Sequence, residues 1–228
     1  MKFESNLDKG IDYNNEYHLA KFGKWLKHRQ IYELKGKVAK KNIFSYSFDE
    51  NSRVLEIGCG IGQITAWVKN KHGFDINKEL YPPLKKEGFV MHDSVKEIPN
   101  NYFDELVMSM VLEHIPEPIN FINSLKVKLK ENGKIRLALP RAYYHKMKDM
   151  NKSADGHYYC WGFPDINYLL NRCGFEVLIN KKFFRRGIDR LFFISKISFP
   201  LYMMMIQFLG FLKNDFDIII IAKKNKQV

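Results

Sequence analysis

The residues best suited to chemistry gather around one glycine turn. Glu56 precedes Gly58, Gly60 and Gly62, spaced G-x-G-x-G, behind the short aliphatic run Arg53–Ile57. Glycine has no Cβ and accepts positive φ, so such a turn lets a ligand lie against the backbone, with Cys59 and Gln63 beside it. The third glycine comes one residue too early for the dinucleotide fingerprint. A carboxylate at position 56 would repel a pyrophosphate and suits a cation. Two more acids stand at the ends of predicted strands: Asp75, followed by Ile76 and Asn77, and Asp93, followed by Ser94. Asp75 lies about where an acid could accept from both hydroxyls of a ribose, or it could cap the turn into residues 78–86. Asp93 is open between a ligand contact and a simple cap. His114, with His157 and His145 behind it, is the candidate general base toward a hydroxyl, although local backbone could equally satisfy its ring.

These side chains need a scaffold of alternating strands and helices. Strands are expected at 53–57, 71–77, 88–94, 102–110, 134–139, 175–179 and 215–223. Helices are expected at 64–70, 78–86, 118–130 and 164–173. Pro118 near a first turn and Asn132-Gly133 at a stop punctuate one of them. Residues 11–41 read as two helical pieces with a basic face. Trp25 and Arg29 in them could face the ligand, or the pieces could simply pack. Such alternation predicts an α/β doubly wound sheet.

With these residues in place, the chain resembles the class I S-adenosylmethionine (SAM) methyltransferases, over roughly residues 52–223. Glu56 and its glycines look like that family's first motif, Asp75-Ile76-Asn77 its "D-I-S/N", and Val111-Leu112-Glu113-His114 the "V-L-E-H" of the ubiquinone-type small-molecule branch. The run from Leu129 to Pro140 and the "G-F-E-V" at Gly174 are similar too. The resemblance implies a Rossmann-like sheet of seven strands, mostly parallel with an antiparallel last strand, and helices on both faces. It implies SAM as cofactor and S-adenosyl-L-homocysteine as product. Glu56 would hold the methionine ammonium and Asp75 the ribose. Asp93 and Ser94 would meet the adenine, with Gly58, Cys59, Gly60, Gln63, Ile76, Ser109 and Met110 completing the cofactor site. Ser109-Met110-Val111 stands where amino-methylating nucleic-acid enzymes carry a Pro-Pro-aromatic motif, which disfavours a flipped base.

The division expected is an N-terminal helical cap and linker at 1–51 and a catalytic domain at 52–223. The domain contains an aromatic- and histidine-rich substrate loop at 141–163, with Tyr143, Tyr158 and Trp161 available to shape a pocket. An insertion at 181–213 is first basic and then almost wholly apolar. A spanning helix there would strand the last sheet segment on the far side, so it is read as a lid, a dimer contact or an element lying on an anionic membrane. Three cysteines in no ligand spacing, and no apolar leader, point to a reduced cytoplasmic protein, peripheral at most on the inner membrane face, with no metal site. The net charge of +12 invites an anionic partner, or reflects solvated lysines. The expected activity is methyl transfer to a small-molecule, glycan or lipid-linked acceptor, at oxygen, by a monomer or homodimer. An RNA acceptor is the second reading, and a binding module without turnover the third.

Overall fold

The computed structural model describes residues 29–141 and 156–225. Residues 11–28 with Trp25, and most of the 141–163 loop with Tyr143, Tyr144 and His145, lie outside the described residues. Helix α1 (Arg29–Asn42) leads into β1 (Arg53–Ile57), β2 (Asn70–Phe74), α2 (Tyr81–Lys86), β3 (Val90–Met91), β4 (Phe103–Ser109), α3 (Pro118–Lys126) and β5 (Leu129–Pro140). Then follow α4 (Phe163–Arg172), β6 (Phe175–Phe184), α5 (Phe192–Ile197), α6 (Phe199–Leu212) and β7 (Phe216–Lys224). The strands form one seven-stranded sheet in the order β3-β2-β1-β4-β5-β7-β6. Strands β1 to β5 pair in parallel, and β7 runs antiparallel to both of its neighbours.

Burial on both faces explains the aliphatic strands. Val54, Leu55, Leu106, Val107, Ile135, Leu137, Ile220 and Ile221 are fully buried in the sheet. One face packs against α3 and α4 through Ile122, Leu125, Ile166 and Leu170. The other packs against α1, α5 and α6 through Leu34, Val38, Ile194, Tyr202 and Ile206. This is the Rossmann-like α/β sheet expected from the alternation of strands and helices and from the family resemblance.

Several local expectations are corrected. Residues 64–70 are turns, and Asn70 already belongs to β2. Ile64, Thr65, Trp67 and Val68 are poor helix formers in a stretch too short to sustain one. α1 occupies that face instead, so close that a Cβ on Gly36 would sit 3.2 Å from the Gln63 carbonyl. The expected helix 118–130 stops at Lys126, because Leu129 pairs with Phe103 and starts β5 early. β3 shrinks to two residues at the sheet edge. β6 runs on to Phe184 because β7 pairs with it along its whole length, so the basic pair Lys181-Lys182 lies in a strand. No helix among the described residues is long and apolar enough to cross a membrane.

Candidate active site

The carboxyl ends of β1, β2 and β4 converge on a cavity of 1230 Å³. Its lining includes Glu56, Gly58, Cys59, Gly60, Gln63, Asp75, Ile76, Ser94, Ser109, Met110 and His114. Asp93, by contrast, is exposed and does not line the cavity, whereas Ser94 and Val95 do.

Gly58, Gly60 and Gly62 all have positive φ, of 65°, 51° and 72°. Gly58 is fixed by space as well: a Cβ there would drive into Val111. Gly62 serves packing, since its Cβ would meet Leu84 and Phe89 at 2.7 Å. Because no helix follows the turn, the site lacks the positive helix end that phosphate-binding turns rely on. Two carboxylates dominate it instead.

Glu56 is 2% exposed, and its Oε2 accepts from the Thr65 hydroxyl at 2.5 Å. Burial pushes its carboxyl up to about 8, and the charge of Asp75 adds to that rise. Asp75 is tied at both oxygens, Oδ2 to the Gly60 N–H at 2.7 Å and Oδ1 to the Asn77 N–H at 2.9 Å. Lys78 Nζ donates to the carbonyls of Asp75 at 3.2 Å and Asp93 at 2.6 Å, and to Tyr81 Oη at 2.8 Å. The Tyr81 hydroxyl donates to the His92 carbonyl at 2.6 Å, so the loops after β2 and β3 are held together. Met110 closes β4 at φ 57°, a strained conformation for a non-glycine residue, with its N–H on the Ala138 carbonyl at 2.9 Å. Burial pushes the Cys59 thiol up, which makes it a poor nucleophile.

These contacts admit a SAM-like ligand. Among the described residues, Gln63 Oε1 lines the cavity as a buried acceptor without a hydrogen-bond partner, and Glu56, in the same lining, is a buried acid bonded to the Thr65 hydroxyl and paired with no cation. A ligand that brings an ammonium and ribose hydroxyls supplies what both lack.

On the acceptor side, His114 sits in a short 3-10 helix after β4, with Nδ1 3.3 Å from the Gly156 carbonyl. The N–H groups of Tyr158 and Tyr159 reach the Glu113 carbonyl at 2.9 and 3.4 Å. That pairing sets the His157 ring 4.6 Å from the His114 ring, centroid to centroid. Glu113, His114 and His157 each bring a ligand-type atom within 4.8 Å of the others. The sequence reading assigns no metal ligand; the fold nonetheless gathers this His-His-Glu set, which linear spacing does not reveal. Tyr159 and Trp161 stack at 4.9 Å and face the core, so Trp161 is a packing residue rather than a pocket wall. Arg29 pairs with Glu33 and Glu87 on the surface, away from the cavity. Nothing local in the sequence marks Thr65, Lys78 or Tyr81, and their roles appear only once the loops meet.

The same lining takes in an apolar arm of Val38, Ile43, Phe183, Ile188 and Ile219, together with the charged Lys35, Arg185 and Asp217. Lys35 pairs with Asp189 at 3.2 Å, and Arg185 with Asp217.

Comparison with known proteins agrees with this architecture. A family model described as a methyltransferase domain matches residues 26–179. An uncharacterized protein of Methanocaldococcus jannaschii is 27% identical over 167 residues, covering 71% of this chain and 76% of its own. A Thermotoga maritima SAM-dependent methyltransferase, described as a possible histamine N-methyltransferase, superposes with a TM-score of 0.63 at 14% identity, covering 92% of this chain and 97% of its own. Haemonchus contortus phosphoethanolamine N-methyltransferase 2, solved with SAM, gives a TM-score of 0.61 at 16% identity over 96% of this chain and 61% of its own. At such identities the structures share the fold, while the family model reaches across β1 to β5 and the carboxylate-lined turn. The chain belongs to the methyltransferase-domain family, and it is a class I SAM-dependent methyltransferase.

Proposed function

We propose that the protein transfers the methyl group of SAM to an oxygen of a small-molecule, glycan or lipid-linked acceptor. The observation that carries this reading is the continuity of one cavity, from Glu56 and Asp75, past Gly58 and Met110, to His114 and the apolar arm. At 1230 Å³ it exceeds the ~300–1,000 Å³ usual for a single small ligand, which leaves room for an acceptor beside the cofactor.

Glu56 would hold the ammonium, directly or through water, and Asp75 the ribose hydroxyls. Ser94, Ser109, Met110 and the glycine-turn backbone would complete the cofactor site. When bound, SAM supplies a methyl carbon already activated by its sulfonium. The chain's own task is then largely positioning. His114 is suited to take the proton of an acceptor hydroxyl. An Nδ1–H donated to the Gly156 carbonyl fixes the ring's tautomer, with the basic lone pair on Nε2. His157 stands against that ring and would steer it.

The apolar arm favours an acceptor with a hydrophobic portion. An RNA acceptor draws support from the charge of +12 and meets opposition from that arm. The test is transfer of labelled methyl from SAM into lipid, glycan and RNA extracts. Label in the lipid or glycan fraction supports the reading. Label confined to RNA, with salt-dependent RNA binding, replaces it with the second.

A further inference from the structure

The segment between β6 and β7 does more than close the fold. From Arg190 to Lys213 it contains no acidic residue, while Arg190, Lys196 and Lys213 are basic and exposed. Within it, α6 buries Tyr202, Met203, Ile206 and Gly210 against the sheet. Gly210 lies so close to the backbone of Phe184 and Arg185 that no side chain fits between them. The helix is therefore held against β6, and its outer face is fixed.

That outer face is apolar. Phe193, Ile197, Leu201, Met204, Phe208 and Phe211 are between 41% and 80% exposed. Within α6, Leu201, Met204, Phe208 and Phe211 recur every three or four residues, which aligns them in one stripe, and Phe193 and Ile197, four apart, share a face of α5. A solvent-facing helix would carry charges there; among the exposed positions of α6, Gln207 is the one polar side chain.

Charge identifies the occupant. Every charged side chain from Arg190 to Lys213 is a cation. The flanking acids are engaged elsewhere, Asp189 with Lys35 at 3.2 Å and Asp215 with Arg186 at 3.2 Å. A second copy docking face to face would bring cation against cation on chains of charge +12. An anionic bilayer accepts both parts, the stripe in its acyl boundary and the cations among its headgroups. A helix of 14 residues rises only ~21 Å, short of the hydrocarbon core, so it lies in the interface plane.

We propose that α5 and α6 form an interfacial anchor that docks the enzyme on anionic lipid. The inner side of the same segment walls the cavity: Ile188 lines the apolar arm, and the Tyr202 hydroxyl donates to its carbonyl at 3.2 Å. Docking would thus place that arm next to the lipid. The inference stands whichever acceptor is methylated.

Co-sedimentation with vesicles tests it. The full chain should pellet with vesicles of roughly one third phosphatidylglycerol in phosphatidylcholine and stay largely free with phosphatidylcholine alone, with binding that weakens as salt rises. The double variant Met204→Glu/Phe208→Glu should lose about tenfold or more of the partitioning, with unchanged S-adenosylhomocysteine affinity as the check on its fold. If that variant does not fold, Lys196→Glu/Lys213→Glu, at exposed positions, should show the same loss. Failure of the intact protein to bind anionic vesicles would overturn the proposal. So would equal binding by folded variants, or a dimer in solution that the Met204→Glu/Phe208→Glu variant turns into a monomer while the parent ignores lipid.

Discussion

Glu56 is held between two demands. Its burial favours the protonated acid, while the role proposed for it, pairing with an ammonium, needs the carboxylate. With the carboxyl raised from its ordinary 4.5 to about 8, the folded protein keeps a proton across that interval that the unfolded chain has released. Stability therefore falls as pH rises from about 4.5 to 8 and levels off above. Glu56→Gln should raise thermal stability at pH 7, by on the order of 1–3 kcal/mol, and weaken S-adenosylhomocysteine at least about tenfold. In the parent protein, affinity for S-adenosylhomocysteine should climb as pH approaches 8, with proton release on binding, measured by calorimetry in two buffers of different ionisation enthalpy. A flat profile, or equal affinity in the Gln variant, would remove the ammonium assignment. His114 makes a separate demand. His114→Gln should lower kcat by about a hundredfold or more and leave S-adenosylhomocysteine affinity unchanged. If turnover survives, positioning alone suffices and no base is used.

At the scale of elements, the sheet could be read in the sequence because each strand carries its own signal. β1 is aliphatic and ends in glycines, β4 opens on Phe103-Asp104, and β7 is the unbroken run Ile218 to Ile221. The connection after β1 was harder. Glycine turns of this kind usually lead into a helix, and only tertiary packing shows that α1 has taken that helix's place. Arg136 was equally hidden, because nothing local marks a strand arginine as fully buried. It makes a two-pronged pair with Glu105, both bonds at 2.9 Å, and donates to the carbonyls of Ile43 at 3.0 Å and Tyr46 at 2.9 Å. That pair fastens the linker after α1, and hence α1 itself, to β4 and β5. Arg136→Met would leave Glu105 buried with Lys134, at 3.5 Å, as its one remaining cation among the described residues. It should cost about 3–5 kcal/mol in urea unfolding, and adding Glu105→Leu should restore part of the loss. A cost within error for the single variant would mean that α1 is held by its apolar face alone.

For the whole molecule, the residues that the sequence marks for a cofactor line one cavity, while the sequence leaves the acceptor side nearly blank, for a topological reason. The proposed cofactor residues follow strand ends in chain order, so a linear reading can single them out. The apolar arm is assembled from α1, β6, β7 and the loop before α5, segments separated by up to about 180 residues, and no spacing records their meeting. The same arm makes the acceptor reading testable. Val38 is 5% exposed on α1 and lines the arm at a distance in sequence from every proposed cofactor residue. Val38→Phe would add volume where an apolar acceptor chain is expected to lie, at a packing cost of about 1–3 kcal/mol. With the acceptor found by the labelled-methyl screen, KM should rise about tenfold while S-adenosylhomocysteine affinity holds and kcat at saturation changes little. Loss of cofactor affinity together with KM would show a general distortion of the cavity. An unchanged KM would mean that the acceptor never enters the arm, and a polar acceptor confined to the His114 side would then be the better reading.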